Sequence, residues 1–172
     1  MTAALPLRRA LADDAEALAA LHVEVWRETY GDLAPPEAIE RLDEARRLPY
    51  WERVTSADVS DVGAIVAVRG EVLAGVVSFG PSSNEVFDGA AEIDHLYVRA
   101  SARGTGAGRA LLTAAFTQLA DAGHRRAALA VVEENEAARR FYRSMGGAEV
   151  GRFTDPGPLW RSSNILVAWD LP

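Results

Sequence analysis

The turn Arg103-Gly104-Thr105-Gly106-Ala107-Gly108 constrains this chain more than any other segment. It follows a β-rich run at 92–98 (EIDHLYV) and precedes a stretch in which Leu111, Leu112, Ala115 and Leu119 share one helical face until Gly123. A strand that becomes a helix through three glycines lets the backbone approach a ligand closely and aims successive N–H groups at it. With the helix N-terminus behind it, such a turn is a cradle for a phosphate or pyrophosphate. Residue types exclude two kinds of phosphate loop. A Walker loop requires Lys, and all 18 basic residues are Arg. The dinucleotide fingerprint requires a small residue where Arg109 stands, and no repeated βαβ pattern precedes the turn.

The rest of the chain reads as strands and helices without repeats or low-complexity linkers. Residues 4–9 are a short candidate strand. Asp13 and Asp14 then suit a helix start, and Leu18, Leu21 and Val25 recur at helical spacing as far as Tyr30. Gly31 ends that helix, and Pro35-Pro36 opens a second helical stretch through Arg47. The runs 64–68 and 72–79, joined by Arg69-Gly70-Glu71, predict a hairpin. Beyond the glycine turn and its helix come a strand at 127–132, a helix at 135–145 closed by Gly146-Gly147, and strands at 148–153 and 164–171. The predicted order, β-α-α-β-β-β-α-β-α-β-β, is a mixed α/β layer architecture in one domain spanning residues 1–172.

With these elements in place, residues 90–150 resemble the GNAT superfamily of N-acetyltransferases. Its signature is Gln or Arg, two residues, Gly, one residue, then Gly or Ala, and Arg103, Gly106 and Gly108 meet it. The preceding strand commonly reads like EIDHLYV, and Asn135, Ala138, Phe141, Tyr142 and Gly146 fill the places of the family's later helix. The resemblance implies a mostly antiparallel central sheet of about seven strands flanked by helices. It also implies acetyl transfer from acetyl-CoA to an amine. One departure is visible: Gly147 and Ala148 follow Gly146 where the family often has an aromatic residue, so looser packing near the cofactor is expected.

The same resemblance implies roles for single residues. Backbone N–H groups around Leu96, Tyr97 and Val98 are expected to hold the pantetheine arm and the thioester oxygen, as a small oxyanion hole. Those of Gly104, Thr105, Gly106, Ala107 and Gly108, with Arg109 beside them and the Arg103 side chain, are expected at the pyrophosphate. Asn135, with Ala138 on the same helix, is expected at the pantetheine amides or the coenzyme phosphates. Tyr142 is the expected general acid, since an ordinary tyrosine pKa of about 10 keeps it protonated at neutral pH. Its bland alternative is a core aromatic fixed by a hydroxyl hydrogen bond. Glu92 is the candidate base; otherwise it is a solvent-facing or ion-paired carboxylate, and an ordered water serves instead. Strand alternation puts Glu92, Asp94 and Leu96 on one face, and Ile93, His95 and Tyr97 on the other. Asp94 is a candidate for recognising a cationic acceptor. Trp26 and Tyr30, four apart on one helix, are candidates for the acceptor pocket with Trp160, or else core aromatics.

Composition narrows the chemistry. The chain has no Cys, which excludes disulfides, Cys-ligated zinc and a covalent acetyl-cysteine, so transfer is expected through a ternary complex. His22, His95 and His124 show no spacing of a metal site, and no metal is expected. Net charge is −7, against a nucleic-acid or anionic-membrane surface. Residues 1–91 carry 8 Arg and 16 acidic residues, residues 92–172 carry 10 Arg and 9, and the acidic first part favours a cationic amine, small molecule or peptide. No apolar run approaches the roughly 18 residues of a membrane span. Residues 1–10 lack a secretory start. A cytoplasmic monomer or homodimer is the expectation, and a non-catalytic acyl-CoA-binding module on the same fold is the alternative function.

Overall fold

The computed structural model describes residues 4–172 of the chain; residues 1–3 of the opening stretch lie outside the described residues. In chain order the elements are β1 (Leu7–Arg9), α1 (Ala15–Tyr30), α2 (Pro36–Arg41), α3 (Glu44–Thr55), β2 (Gly63–Arg69) and β3 (Val72–Pro81). They continue as β4 (Ala91–Val98), α4 (Ala107–Asp121), β5 (Arg126–Val132), α5 (Glu136–Ser144), β6 (Ala148–Thr154) and β7 (Ser163–Asp170). All seven strands form one sheet in the order β1-β2-β3-β4-β5-β7-β6. Every pairing is antiparallel except that of β4 with β5. Among the described residues no helix is long and apolar enough to cross a membrane.

Strand alternation builds a core on each side of the sheet. Ile65, Ala67, Val77 and Phe79 face α4, where Leu111, Leu112, Ala115 and Leu119 are fully buried at helical spacing. The alternate residues Ala64, Val66 and Val76 meet Leu18, Leu21 and Val25 of α1 and Trp51 and Val54 of α3. The second helical stretch departs from expectation. It breaks after Arg41, and Asp43 starts a separate helix by accepting a hydrogen bond from the Arg46 amide at 2.7 Å. A short carboxylate makes a better N-cap than a helix interior residue, and that competition divides the segment.

The middle of β4 sets up the site. His95 pairs with Ser78 and Ile93 with Phe79, so Asp94 is an extra residue, a β-bulge. The bulge shifts the alternation by one. Ile93 packs with α4, and so do Leu96 and Val98, while His95 and Tyr97 turn to the α1 and α3 side. The expected grouping of Asp94 with Leu96, and of Ile93 with His95, is therefore overturned. Along its other edge β4 pairs with β5 only at Ala91–Ala127 and Glu92–Ala128. Beyond that point β5 stays paired with β7 while β4 stays with β3, and the two strands part.

The Gly146-Gly147 turn holds no loose packing. A Cβ on Gly147 would stand 2.6 Å from Val167 Cγ1 and 2.7 Å from Trp169 Cζ2. Trp169, from β7, occupies the space, and its indole N–H donates to the Met145 carbonyl at 3.1 Å. The aromatic bulk comes from another strand, which corrects the expectation of a gap.

Candidate active site

The parting of β4 and β5 opens a cleft of about 700 Å³. Its walls are residues 93–98 of β4 and 129–131 of β5, its floor is reached by Tyr142, and the glycine turn lies at one end. Because β4 and β5 do not pair here, each offers a free backbone edge to the cleft. Such an edge can bond the amides of an extended ligand as an added strand would. Leu96, Tyr97 and Val98 all line it, as do Ala102, Ala107 and Ala138.

At the turn, Gly104 and Gly106 have φ of 74° and 87°, a left-handed conformation in which side chains are strained. A Cβ on either would meet nothing within 4 Å, so their need is conformational and leaves open space for a ligand. Gly106 is the N-cap of α4 and no side chain caps the helix, leaving its first N–H groups for an anion. Gly108 serves packing: a Cβ there would lie 3.5 Å from Phe141 Cζ. Thr105 closes the turn by donating to the Ala102 carbonyl at 2.6 Å.

Two cations flank this cradle. Arg109 is exposed at the cleft. Arg103 also lines it, but its guanidinium donates to the Val98 carbonyl and to Glu28, each at 3.0 Å. Arg99 likewise pairs with Glu24 of α1 and donates to the Leu73 carbonyl at 2.9 Å. These exposed pairs contribute little stability and mainly fix α1 over the turn. Asn135 has a local role: its Oδ1 accepts from the Ala138 amide at 3.2 Å, capping α5, and its Nδ2 donates to the Tyr30 hydroxyl at 3.3 Å. Both polar atoms of Asn135 thus have protein partners.

Tyr142 is 8% exposed, with ring contacts to Phe141 and Trp169. Burial, with Tyr30 nearby, raises its pKa above the ordinary tyrosine value, so it is protonated at neutral pH. Among the described residues no side-chain hydrogen bond engages its hydroxyl, although the ring itself belongs to the core that α4 shares with the sheet. Tyr30 lines the cleft, whereas Trp26 does not. Trp26 packs with Val23, Ala34, Ala38 and Leu42, so of the two aromatics proposed for an acceptor pocket it is a core residue. The Trp160 ring lies edge-on to that of Tyr30, with 5.9 Å between centroids.

The two carboxylates of β4 separate. Glu92 sits where β4 and β5 still pair, outside the cleft lining. Asp94, thrown out of register by the bulge, lines the cleft. The Tyr50 hydroxyl donates to Asp94 Oδ2 at 2.8 Å and lies 2.8 Å from Ser78 Oγ, which can donate to it in turn. Burial raises the pKa of Asp94 and of Glu92; the Tyr50 bond and the nearby Arg53 charge temper the Asp94 shift. Tyr50 was not distinguishable in the sequence, because it sits 44 residues from Asp94 on a helix whose start was itself misplaced.

Behind Asp94 lies a ring cluster of His22, Trp51, Tyr50, His95 and Tyr97. His22 is 1% exposed, and its Nδ1 accepts from the Trp51 indole N–H at 3.3 Å. Burial lowers its pKa, with His95 and Arg47 adding to the effect, and burial with Arg47 pushes His95 down to about 3. Both rings are neutral in the folded state, while an unfolded histidine titrates near 6.5. Below that value the unfolded chain takes up protons that the fold refuses, so stability falls as pH drops. The loss approaches about 1.4 kcal/mol per pH unit per ring. Carboxylates held below their ordinary pKa, such as Asp14 beside Arg8, add acid loss only at lower pH. Asp94 and Glu92, whose pKa burial raises, take up protons in the fold and oppose this loss. The measurement is therefore the difference in Tm between wild type and His22→Asn from pH 7 to 4.5. The wild-type advantage is expected to shrink as pH falls, and a constant difference would refute a buried neutral His22.

Comparisons with known proteins agree with this geometry. Residues 16–147 match the Acetyltransferase (GNAT) family. The chain is 30% identical over 131 residues to YuaI of Bacillus subtilis (strain 168), an uncharacterised N-acetyltransferase, covering 75% of this chain and 72% of that protein. It superposes on the ribosomal-protein-alanine N-acetyltransferase of Brucella melitensis with a TM-score of 0.75 and 25% identity, over 97% of this chain and all (100%) of the other. The PaiA N-acetyltransferase of Thermoplasma acidophilum, solved in complex with coenzyme A, shares the fold with a TM-score of 0.72 and 20% identity, over 99% of both chains. A parted β4–β5 pair, a left-handed glycine turn at a helix start and a family match across most of the chain lead to one assignment: the chain belongs to the GNAT acetyltransferase family and is an acetyl-CoA-dependent N-acetyltransferase.

Proposed function

We propose that this N-acetyltransferase moves the acetyl group directly to a small-molecule or peptide amine while donor and acceptor are both bound. The observation that carries this is the pairing, in one cleft, of a buried protonated Tyr142 without a hydroxyl partner and the carboxyl of Asp94. The fit to acetyl-CoA rests on the unpaired β4 edge, for an extended arm bearing amides, and on the uncapped start of α4, for a pyrophosphate. When bound, acetyl-CoA supplies the activated acyl carbon and a thiolate leaving group.

The chain's own residues handle binding and protons. Residues 104–109 hold the pyrophosphate by N–H groups, with Arg109 as an open cation; Arg103 joins it by exchanging its bond to Glu28. Leu96, Tyr97 and Val98 align the arm along β4, and an edge N–H there stabilises charge on the acyl oxygen. Asp94 takes a proton from the incoming ammonium, directly or through water, with Glu92 behind it as a second carboxylate. The amine nitrogen bonds to the acyl carbon, the carbon–sulfur bond breaks, and Tyr142 gives its proton to the departing sulfur. The new amide nitrogen sheds its second proton, which restores Tyr142, and the Asp94 proton leaves to solvent.

Because the chain has no Cys, a thiol reagent reports only coenzyme A released from acetyl-CoA. Purified protein with amino acids, polyamines, aminoglycosides and short peptides is expected to release thiol in the presence of at least one class. Calorimetric binding of acetyl-CoA with no amine-dependent thiol release would favour a non-catalytic acyl-CoA-binding module instead.

A further inference from the structure

We propose that Tyr50 is the positioning residue of the base: bonded to Asp94 Oδ2, it fixes the carboxyl and leaves Oδ1 as the atom that takes the proton of the acceptor amine. This rests on the transferase reading with Asp94 as base, and adds to it a residue that stands outside the cleft lining. The geometry is a chain of two short bonds. The Tyr50 hydroxyl oxygen lies 2.8 Å from Asp94 Oδ2 and 2.8 Å from Ser78 Oγ. A phenol has one proton and an ionised carboxylate can only accept, so that proton goes to Asp94 and the serine hydroxyl donates to Tyr50. Asp94 Oδ1 has no side-chain or backbone partner among the described residues, and it is not closed to solvent. One oxygen is held and the other is open, on a side chain that lines the cleft.

Each link comes from a different element. The bulge that displaces Asp94 falls opposite Ser78 and Phe79 of β3, so the fully buried Ser78 stands beside the displaced residue and anchors the phenol. Tyr50 arrives from α3. Its ring meets those of Trp51 and His95 edge-on, with centroids 5.0 and 4.9 Å away, and Arg53 lies over it at 5.2 Å. These contacts hold the phenol in place. An aspartate free to rotate can present either oxygen, and a bond to one of them removes that freedom. Donation from a neutral phenol also favours the ionised carboxylate, against the effect of burial. Burial raises the pKa of Tyr50 itself, so it stays a donor. Around Asp94 the other charged or titratable groups are Arg53 on α3, Glu92 on β4, and Tyr30, His95, Tyr97 and Tyr142 in the cleft lining. His95 is neutral and the three cleft phenols keep their protons, which leaves Glu92 as the neighbour that titrates with Asp94.

The test is the pH profile of kcat/KM in the thiol-release assay, with one acceptor throughout so that its own titration is common to every variant. Tyr50→Phe keeps the ring and removes the donor. Its acid limb is expected to move to higher pH by about one to two units, the size of a hydrogen bond to a charged group. Below the limb the rate then falls about 10–100-fold. In Asp94→Asn, adding Tyr50→Phe is expected to change kcat/KM by less than about 2-fold, because a residue that acts through Asp94 has no base left to position. Tyr50→Phe strands the buried Ser78 hydroxyl, so Tyr50→Phe with Ser78→Ala is measured beside it. That pair removes both ends of the bond, spares the fold an orphaned group, and is expected to show the same limb. The shift is expected to persist in Glu92→Gln, which places it on Asp94. A limb that stays in place in both Tyr50 variants, a shift that vanishes with Glu92→Gln, or a further large loss on top of Asp94→Asn overturns the proposal. The two readings fail separately. A wild-type acid limb in Asp94→Asn sinks the base itself, whereas a limb lost in Asp94→Asn and unmoved by Tyr50→Phe sinks only the role of Tyr50.

Discussion

Replacing Tyr142 with phenylalanine is expected to lower kcat by about 10²–10⁴-fold, the usual value of a positioned general acid. The substitution deletes one oxygen and keeps the ring, so contacts with Phe141 and Trp169 survive. No protein acceptor is left without its donor, since the hydroxyl engages none among the described residues; unfolding free energy is therefore expected to change by less than about 1 kcal/mol. Acetyl-CoA affinity, measured by calorimetry, is expected to stay within a few-fold, because the groups proposed to bind the donor are the β4 edge and the α4 start. A Tyr142→Phe enzyme with wild-type kcat would remove the residue from the mechanism. A fall in affinity alone would recast it as a binding group.

Asp94→Asn should cost a similar factor in kcat/KM, about 10²–10⁴-fold, with a change in the shape of the pH profile. Asparagine retains a carbonyl oxygen for the Tyr50 hydroxyl, so the bulge and its hydrogen bond persist while the proton acceptor is lost. Burial holds the Asp94 carboxyl above its ordinary pKa, so it must ionise before it can take a proton. In the wild type the rate rises with pH through that raised value. In Asp94→Asn this limb disappears, and what remains follows deprotonation of the free amine. Glu92→Gln serves as the comparison: standing outside the cleft lining, it is expected to cost clearly less than Asp94→Asn. Equal losses in both variants would make the two carboxylates a coupled pair. A greater loss in Glu92→Gln would return the base to Glu92.

The contrast between Glu92 and Asp94 shows where reading a sequence stops. Alternation over EIDHLYV assumes a regular strand, and one inserted residue inverts every face beyond it. Nothing local in that heptapeptide marks Asp94 as the bulge. The register is set by β3, through Ser78 opposite His95 and Phe79 opposite Ile93, partners some 15 residues away across a hairpin loop. The two-helix segment failed for a related reason. Pro35-Pro36 and the apolar spacing that follows suit one helix, but the Asp43 carboxylate finds a better bond at the Arg46 amide.

Residues acting locally were legible. Gly104 and Gly106 serve a turn conformation set by their immediate neighbours, whereas Gly108 packs against Phe141 of α5 and Asn135 both caps α5 and bonds Tyr30, contacts that the sequence did not show. Trp26 and Tyr30 were equivalent by spacing, and only packing separated the core ring from the cleft ring.

From the sequence alone came the strand–glycine turn–helix unit, the succession of strands and the absence of a Cys nucleophile, because these follow from residue type and short-range period; the role expected of Tyr142 came from the family resemblance. The tertiary structure decided which carboxylate meets the cleft and that Tyr50 holds it. Those outcomes depend on pairings between α1, α3, β3 and β4. Long-range register and burial create them, and no periodicity within one segment encodes either.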